Sequence, residues 1–212
     1  ALLWSAPHAY STNVSAVPVD TTWNLAGSPY IVTANLLVSA TTTLTIDPGV
    51  VIKFSQNTGI LVRGILTANG TNANPIVFTS IKDDIYAGDT NGDGSATTPA
   101  KGDWDRIVFS NDTNASTLNF AIVKYGGSNP KSGTTDVGFP YCFGGNLRPT
   151  FSGEISVGYT WNNGSYPSCS AGSYTNAKVS ITSTTVTDSA TEGIWVYSSQ
   201  PTLGPVNMIF GN

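Results

Sequence analysis

Charged side chains are scarce in this sequence. Of the 212 residues, 9 are lysine or arginine and 13 are aspartate or glutamate, so 10% of the chain is charged and the formal net charge is -4. An average soluble domain carries roughly 25% charged residues. Because the chain has no basic stripe to neutralise phosphates, we expect no nucleic-acid partner and no attraction to an anionic membrane surface.

Long apolar runs, histidine and cysteine are equally scarce. No apolar run approaches the ~20 residues that span a bilayer, so we expect no membrane insertion. The one histidine is His8, and the two cysteines are Cys142 and Cys169. A cysteine pair in a Gly- and Tyr-rich loop predicts a disulfide in an oxidising compartment, whereas a His/Cys metal site would need more such ligands nearby.

Two further features indicate an extracellular or cell-surface protein. The chain begins at Ala1 rather than at methionine, as a processed protein would. The N-glycosylation acceptor pattern Asn-x-Ser/Thr occurs five times, at Asn13, Asn69, Asn111, Asn114 and Asn163. A Ser-, Thr- and Asn-rich chain contains some such patterns by chance, so we expect only part of them to be used.

Short runs of valine, isoleucine, leucine and threonine recur between glycine, proline and asparagine corners. Apolar residues alternate within several runs, as in Leu44 and Ile46, which predicts strands with one inner face. A helical period is missing. The predicted strand runs are 30–33, 36–38, 43–46, 50–54, 60–62, 65–68, 76–79, 106–109, 118–125, 178–182, 185–187, 193–197 and 206–210.

This pattern predicts an all-β solenoid, in which each coil buries its apolar face on the next coil. Residues 1–29 show no period and are interpreted as a lead-in or cap, and residues 30–212 as the solenoid. Two insertions are expected within it, at about 82–105 and about 126–176, and long insertions of this kind are usually functional or separately stapled. The last run has no polar cap after it, so we expect a partner or further chain to cover that coil.

The opening coils resemble a known family. The resemblance is carried by Pro29-Tyr-Ile-Val-Thr33, Leu44-Thr-Ile-Asp-Pro-Gly-Val-Val-Ile-Lys-Phe54, Gly64-Ile-Leu-Thr-Ala-Asn-Gly70, Pro75-Ile-Val-Phe-Thr-Ser80 and Gly102-Asp-Trp104. This stretch is similar to secreted right-handed parallel β-helix proteins, the non-enzymatic surface branch of the pectin-lyase-like superfamily. The resemblance implies that fold, but it leaves the function open among adhesins, envelope components and carbohydrate-active enzymes.

The first insertion contains a candidate calcium loop, Asp89-Thr-Asn-Gly-Asp-Gly-Ser95. Oxygen ligands at alternate positions with glycine at the sixth suit Ca²⁺, and the candidate ligands are Asp89, Asn91, Asp93 and Ser95. Ala100 stands where an EF-hand has its bidentate glutamate, so the site would have to be closed by other acids: Asp83, Asp84, Asp103 or Asp105. We expect a structural calcium ion; the alternative is an Asx-rich turn in a solvated loop.

The second insertion is rich in aromatic residues around the predicted Cys142–Cys169 bridge. Aromatic side chains with a polar group suit both sugar stacking and protein interfaces. The candidate contact residues are Tyr159, Trp161 and Tyr166. Three alternatives remain open here: a small satellite core, a protein interface and a glycan-binding site.

Sequence features of an enzyme are weak. The superfamily's lyases use clustered acids with Ca²⁺ and a basic residue, for which Arg63 and Arg106 are candidates, but neither has a carboxylate partner at coil spacing. Threonine-rich runs such as 41–43 show no regular register over successive coils, so β-propensity explains them. We therefore predict an extracellular structural or adhesive module that assembles with itself into an envelope or filament array. Surface glycan binding, or a Ca²⁺-dependent polysaccharide lyase or hydrolase, is the alternative.

Overall fold

The fold was analysed in a computed structural model, which describes residues 11–110, 115–128, 153–159, 177–196, 199–204 and 207–212. The side chain of Tyr159 lies outside this description. The strands of the described chain are β1 (Thr12–Val14), β2 (Thr21–Trp23), β3 (Tyr30–Val32), β4 (Leu36–Val38), β5 (Thr43–Ile46), β6 (Val51–Phe54), β7 (Ile60–Val62), β8 (Ile65–Asn69), β9 (Ile76–Ser80), β10 (Ile107–Ser110), β11 (Ser116–Asn119), β12 (Ala121–Lys124), β13 (Ile155–Tyr159), β14 (Val179–Thr182), β15 (Thr185–Thr187), β16 (Ile194–Val196), β17 (Thr202–Leu203) and β18 (Met208–Phe210). A 3₁₀ turn lies at Leu25–Gly27.

The strands wind into three parallel sheets. Sheet A has the order β1-β3-β6-β9-β12-β15-β18, sheet B the order β16-β13-β10-β7-β4, and sheet C the order β17-β14-β11-β8-β5-β2. From β3 onward the chain visits A, B and C in turn, and each strand pairs in parallel with the strand one coil away. The predicted right-handed parallel β-helix is confirmed.

The core fills the space between the three sheets. Alternate side chains of each strand point inward, so residues of equivalent register stack along the axis of the helix. In sheet B one such column is Leu36, Ile60, Ile107 and Ile155, all of which are fully buried. Burial of these columns accounts for the recurring Val, Ile and Leu of the sequence.

The described part of residues 1–29, which the sequence analysis interpreted as a lead-in or cap, contains strands that begin the first coil. β1 pairs with β3, Val17 forms a parallel bridge with Val38, and β2 pairs with β5. These strands are short and polar, as in Thr12–Val14, and therefore carry little hydrophobic period.

Two further boundaries differ from the prediction. The run 118–125 is divided between β11 and β12 by a corner at Phe120, whose φ is 45°, and the same corner one coil later is Ser183, with φ of 49°. Glycine usually marks such a left-handed corner, so Phe120 gave no signal, whereas the corner at Ser183 coincides with the predicted break between the runs 178–182 and 185–187. β13 lies inside the segment 126–176 that was predicted as one insertion, so that segment contains a strand of the helix.

Sheet C presents a regular outward row of hydroxyl groups. Its members occupy equivalent register positions on six successive strands: Thr22, Thr45, Thr67, Thr117, Ser180 and Thr202. Adjacent members are about 4.7–4.9 Å apart, the spacing of paired strands. The sequence analysis found no regular threonine register over successive coils, because that register is set by the loop lengths, which no local pattern reveals.

Candidate functional site

The acidic insertion between β9 and β10 lies over the outer face of sheet A. Lys53 of β6 points outward, and its Nζ donates hydrogen bonds to the Gly88 carbonyl at 2.6 Å and to Thr90 Oγ1 at 3.0 Å. On β12, Lys124 Nζ lies 5.8 Å from the centroid of the Tyr86 ring. The insertion therefore covers this face, and Lys53 is fully buried beneath it.

Carboxylates fasten the two ends of the insertion to β9. Near its start, Asp83 Oδ2 accepts a hydrogen bond from Thr79 Oγ1 at 2.6 Å. Near its end, Asp103 accepts from Ser80 Oγ at 2.8 Å and forms an ion pair with Lys82 at 2.7 Å. Both carboxylates are buried, so the hydrogen bonds compensate for their loss of hydration.

The environment of Lys53 is unusual for a lysine. Burial lowers the pKa of its ammonium group, and the negative charges of Asp83, Asp84 and Asp89 oppose this effect by attraction. The nearby Asp84 Oδ1 is buried and has no hydrogen-bond partner in the part of the chain that is described. Lys53 is thus the central attachment point of the insertion on sheet A.

A buried ion pair occupies the corner between sheets A and B. Arg106 Nε donates to Asp105 Oδ1 at 2.6 Å, and Arg106 Nη2 donates to the Ser128 carbonyl at 2.6 Å. Arg106 is 1% exposed and Asp105 3%. Arg106 Nη1 is buried and finds no partner among the described residues. The guanidinium joins the end of the insertion to the segment that follows β12.

Trp104 closes the core beneath this ion pair. It is fully buried, and its ring stacks on Phe54 with the centroids 4.1 Å apart and an angle of 9° between the planes. Its Nε1 donates a hydrogen bond to the Lys124 carbonyl at 2.7 Å. Gly126 packs so tightly here that a Cβ atom on it would lie 2.9 Å from the indole and 2.7 Å from Glu154.

Glu154 is a buried carboxyl group that the sequence analysis missed. Its Oε1 accepts a hydrogen bond from the Gly126 amide, whereas Oε2 is buried without a partner in the described residues. Burial raises the pKa of Glu154 well above its usual value, and the hydrogen bond from Gly126 only partly opposes this. The group lies inside the predicted aromatic insertion, where no local pattern indicated that it would be buried.

The protonation of Glu154 predicts a pH effect on stability. Because its folded-state pKa is raised, the stabilisation that it contributes is complete below the ordinary glutamate pKa of about 4.3 and is lost as the pH rises through the folded-state value. We expect Glu154→Gln to have a higher melting temperature than the wild type near neutral pH. At acidic pH we expect the difference between the two proteins to be smaller. The matched control is Glu192→Gln, at an exposed carboxyl. A difference from the wild type that does not vary with pH would contradict the prediction.

The predicted calcium loop forms a hydrogen-bonded turn. The Asp89 carboxylate accepts hydrogen bonds from the amides of Gly92 and Gly94, at 2.7 and 2.8 Å. The Asp93 carboxylate accepts from the Ser95 amide at 2.9 Å and from the Thr97 hydroxyl. These hydrogen bonds lower the pKa of Asp89, chiefly through Gly94, and that of Asp93, chiefly through Thr97.

The other predicted ligands do not complete a site around this turn. Asn91 Nδ2 donates a hydrogen bond to Asp93 Oδ2 at 2.9 Å, so the side-chain amide of Asn91 also stabilises the turn. Of the four acids proposed to close the site, Asp83, Asp103 and Asp105 form the contacts with β9 and Arg106 given above. Within the described ranges, no three Asp, Glu, His or Cys side chains are grouped so that they could hold a metal ion. Calcium binding stays a prediction.

Several predicted site residues lie outside the described part of the chain. These are Cys142, Cys169, Trp161 and Tyr166, together with the acceptor asparagines Asn111, Asn114 and Asn163. Tyr159 is the last residue of β13. The two other acceptor asparagines are exposed, Asn13 on β1 and Asn69 at the end of β8.

Three parallel sheets wound in successive coils, with an insertion fastened across one of them, define a parallel β-helix domain. The chain belongs to the pectate-lyase like beta helix domain family, whose model matches residues 16–156, more than half of the sequence. No curated protein and no solved structure matches it. Among the described residues, no helix has the length and apolar character needed to cross a membrane.

Proposed function

We propose that the protein is an extracellular structural or adhesive surface module whose β-helix serves as a rigid scaffold. Membership of the β-helix family is compatible with surface and polysaccharide-related roles alike, so the proposal is argued from the side chains. The low charge of the chain and the exposed acceptor asparagines Asn13 and Asn69 support an extracellular location.

The observation that carries the proposal is that the buried cations Lys53 and Arg106 form hydrogen bonds within the protein. Lys53 and Arg106 are 0% and 1% exposed, and their hydrogen bonds join the insertion to sheet A and to the segment after β12. A lyase needs a basic group that reaches a proton on the substrate. Lys53 is covered by the insertion and Arg106 is buried at the corner between sheets A and B, so both cations stabilise the scaffold instead of facing a substrate.

A cleavage assay tests this proposal against the lyase alternative. The purified chain is incubated with polygalacturonate and related acidic polysaccharides, with and without Ca²⁺, and the absorbance of unsaturated products is followed. We expect no increase above the protein-free control. The partly exposed Arg63, in the turn between β7 and β8, is the remaining arginine candidate. Product formation that Arg63→Gln abolishes would establish a lyase and overturn the scaffold proposal.

Glycan binding is a second candidate, supported by the hydroxyl row of sheet C. The row is uncharged, and its residues are partly or fully exposed along six strands. Its hydroxyl groups, apart from the buried Thr117 Oγ1, therefore offer hydrogen bonds at the spacing of paired strands to an extended sugar chain. We expect the double variant Thr45→Val and Thr67→Val to lose retention on insoluble polysaccharides. Thr185→Val, on sheet A, is the matched control and should retain it. Equal retention by both variants would remove sheet C as the binding face.

Calcium binding by the acidic loop is a separate proposal. The spacing of Asp89, Asn91 and Asp93 supports it, although their oxygens serve the turn itself in this structure. If the loop binds calcium, the melting temperature of the protein falls when a chelator is added and recovers with excess Ca²⁺. An unchanged melting temperature would assign the motif to the Asx-rich turn.

A further inference from the structure

The three outer faces of the β-helix present different side chains. On sheet A, Lys53 and Lys124 point outward, and the acidic insertion covers part of the face. On sheet B, the outward positions of β4, β7 and β10 are Leu37, Leu61 and Val108. The six strands of sheet C contain no charged residue, and most of their outward positions carry hydroxyl or amide groups. Sheet C is therefore the uncharged polar face of the molecule.

A second polar row runs beside the hydroxyl row of sheet C. Two residues further along β8, β11 and β14, the outward positions are Asn69, Asn119 and Thr182, which are paired in register across the three strands. The two rows are about 6.6 Å apart along each strand, and neighbouring strands are about 4.7–4.9 Å apart. The hydrogen-bonding groups of sheet C thus form a grid with two fixed repeats.

The grid is ordered by contacts within the protein. Thr182 Oγ1 donates a hydrogen bond to Asn119 Oδ1 at 2.7 Å, and this bond leaves the amide N–H groups of Asn119 unused within the described chain. The Asn69 side chain is exposed and forms no hydrogen bond with another described side chain. Because Thr45 and Thr67 are β-branched, their side chains have few rotamers in a strand. The grid therefore needs little further ordering when a ligand binds.

The described part of sheet C has neither a groove nor an aromatic platform. The corner from sheet C to sheet A is a single residue at Phe120 and at Ser183, so no loop separates the two sheets there. The aromatic residue of the six strands, Trp23, is 3% exposed and belongs to the core. Soluble ligands are usually bound in concave sites, and sugar rings gain much from aromatic contacts. This face lacks both means of holding a single soluble chain.

We propose that the outer face of sheet C binds the surface of an ordered, insoluble polysaccharide without charge, and that Asn69 and Asn119 contact it beside the hydroxyl row. This inference rests on the glycan-binding candidate function given above. The groups of the grid bind water in the free protein, so each gains little when a sugar replaces the water. A free chain would lose conformational freedom on binding, whereas a chain packed in an insoluble fibre has already lost it. Many small contributions can then add up across the face.

The charge of the face selects a neutral polymer. The uncharged strands provide no cation for a uronate or sulfate group of an acidic polysaccharide. Asp47, which follows β5, and Lys178, which precedes β14, flank the strands with opposite charges. The face therefore favours neither an anionic nor a cationic polymer.

Sedimentation of the full chain with polymer particles tests the inference. Crystalline cellulose, chitin and mannan are compared with amorphous preparations of the same polymers, and their soluble oligosaccharides are added as competitors. We expect retention on at least one crystalline polymer, weaker retention on its amorphous form, and no displacement by the oligosaccharides. The double variant Asn69→Ala and Asn119→Ala should bind roughly tenfold more weakly, since two hydrogen-bonding side chains are lost. The matched control is Asn13→Ala, at an exposed asparagine on β1 of sheet A, and it should bind as the wild type does.

Equal or stronger retention on the amorphous polymers, or displacement by the oligosaccharides, would overturn the inference and leave glycan binding itself intact. No retention on any of the polymers would overturn both. Unchanged retention of the double variant would remove Asn69 and Asn119 from the contact. A wild-type mass of two chains in light scattering, reduced to one chain in the double variant, would assign the face to a second copy instead. If circular dichroism shows that the double variant does not fold, the comparison of crystalline with amorphous polymers decides alone.

Discussion

Trp104→Ala is expected to lower the free energy of unfolding by about 3–5 kcal/mol, the usual loss when a buried tryptophan is truncated to alanine. The indole is fully buried, stacks on Phe54 at 4.1 Å and donates a hydrogen bond to the Lys124 carbonyl. Truncation would leave a cavity beside Glu154 and remove the donor from a backbone acceptor. Chemical denaturation of both proteins, followed by circular dichroism, measures the difference.

The control for this prediction is Trp195→Ala. Trp195 lies on β16 of the last coil and is only partly buried, so its truncation should cost clearly less. Equal losses for the two tryptophans would mean that Trp104 does not close the core at the corner between sheets A and B.

Arg106→Met is expected to destabilise the protein by about 3–5 kcal/mol, because it removes the cation from beside a buried carboxylate. The arginine is 1% exposed and its Nε lies 2.6 Å from Asp105 Oδ1. The methionine keeps much of the apolar volume, so the loss reports chiefly on the charge. The difference in unfolding free energy from denaturant titration is the measurement.

Two variants serve as controls for the buried ion pair. Lys82→Met breaks the ion pair with Asp103, in which the lysine side chain is 33% exposed, and should cost about 1 kcal/mol or less. The double variant Asp105→Leu and Arg106→Met should be less destabilised than Arg106→Met alone, since it leaves neither charge of this pair buried without its partner. If Arg106→Met cost no more than Lys82→Met, the pair would not be a structural anchor.

The sequence predicted the fold well where the strands are apolar and bounded by glycine. The segment from β3 to β9 combines inward Val, Ile and Leu with glycine corners such as Gly49, and it was predicted nearly strand by strand. β1 and β2 were missed because they are short and polar. Phe120 adopts a positive φ without being glycine, so its corner inside the predicted run 118–125 was missed as well.

The site was harder to predict because its contacts join residues that are distant in sequence. The Gly126 amide reaches Glu154 across 28 positions, and Lys53 reaches Gly88 across 35. Such pairs depend on the number of residues in each coil, which no local motif reveals. The spacing of Asp89, Asn91 and Asp93 was recognised, but the same spacing serves a calcium loop and an Asx-rich turn. Both place side-chain oxygens at alternate positions of a tight loop, directed at the cation in the first and at backbone amides in the second.

Hydrogen–deuterium exchange of the native chain, followed by mass spectrometry, tests most directly whether the insertion is part of the scaffold. The scaffold account predicts that peptides around Asp83 and around residues 103–106 exchange as slowly as those of β6 and β9, because both ends of the insertion are fastened by buried hydrogen bonds. The exposed turn around Asp89–Ser95 should exchange faster and serves as the internal reference. Exchange of the whole insertion at the rate of that turn would contradict the account.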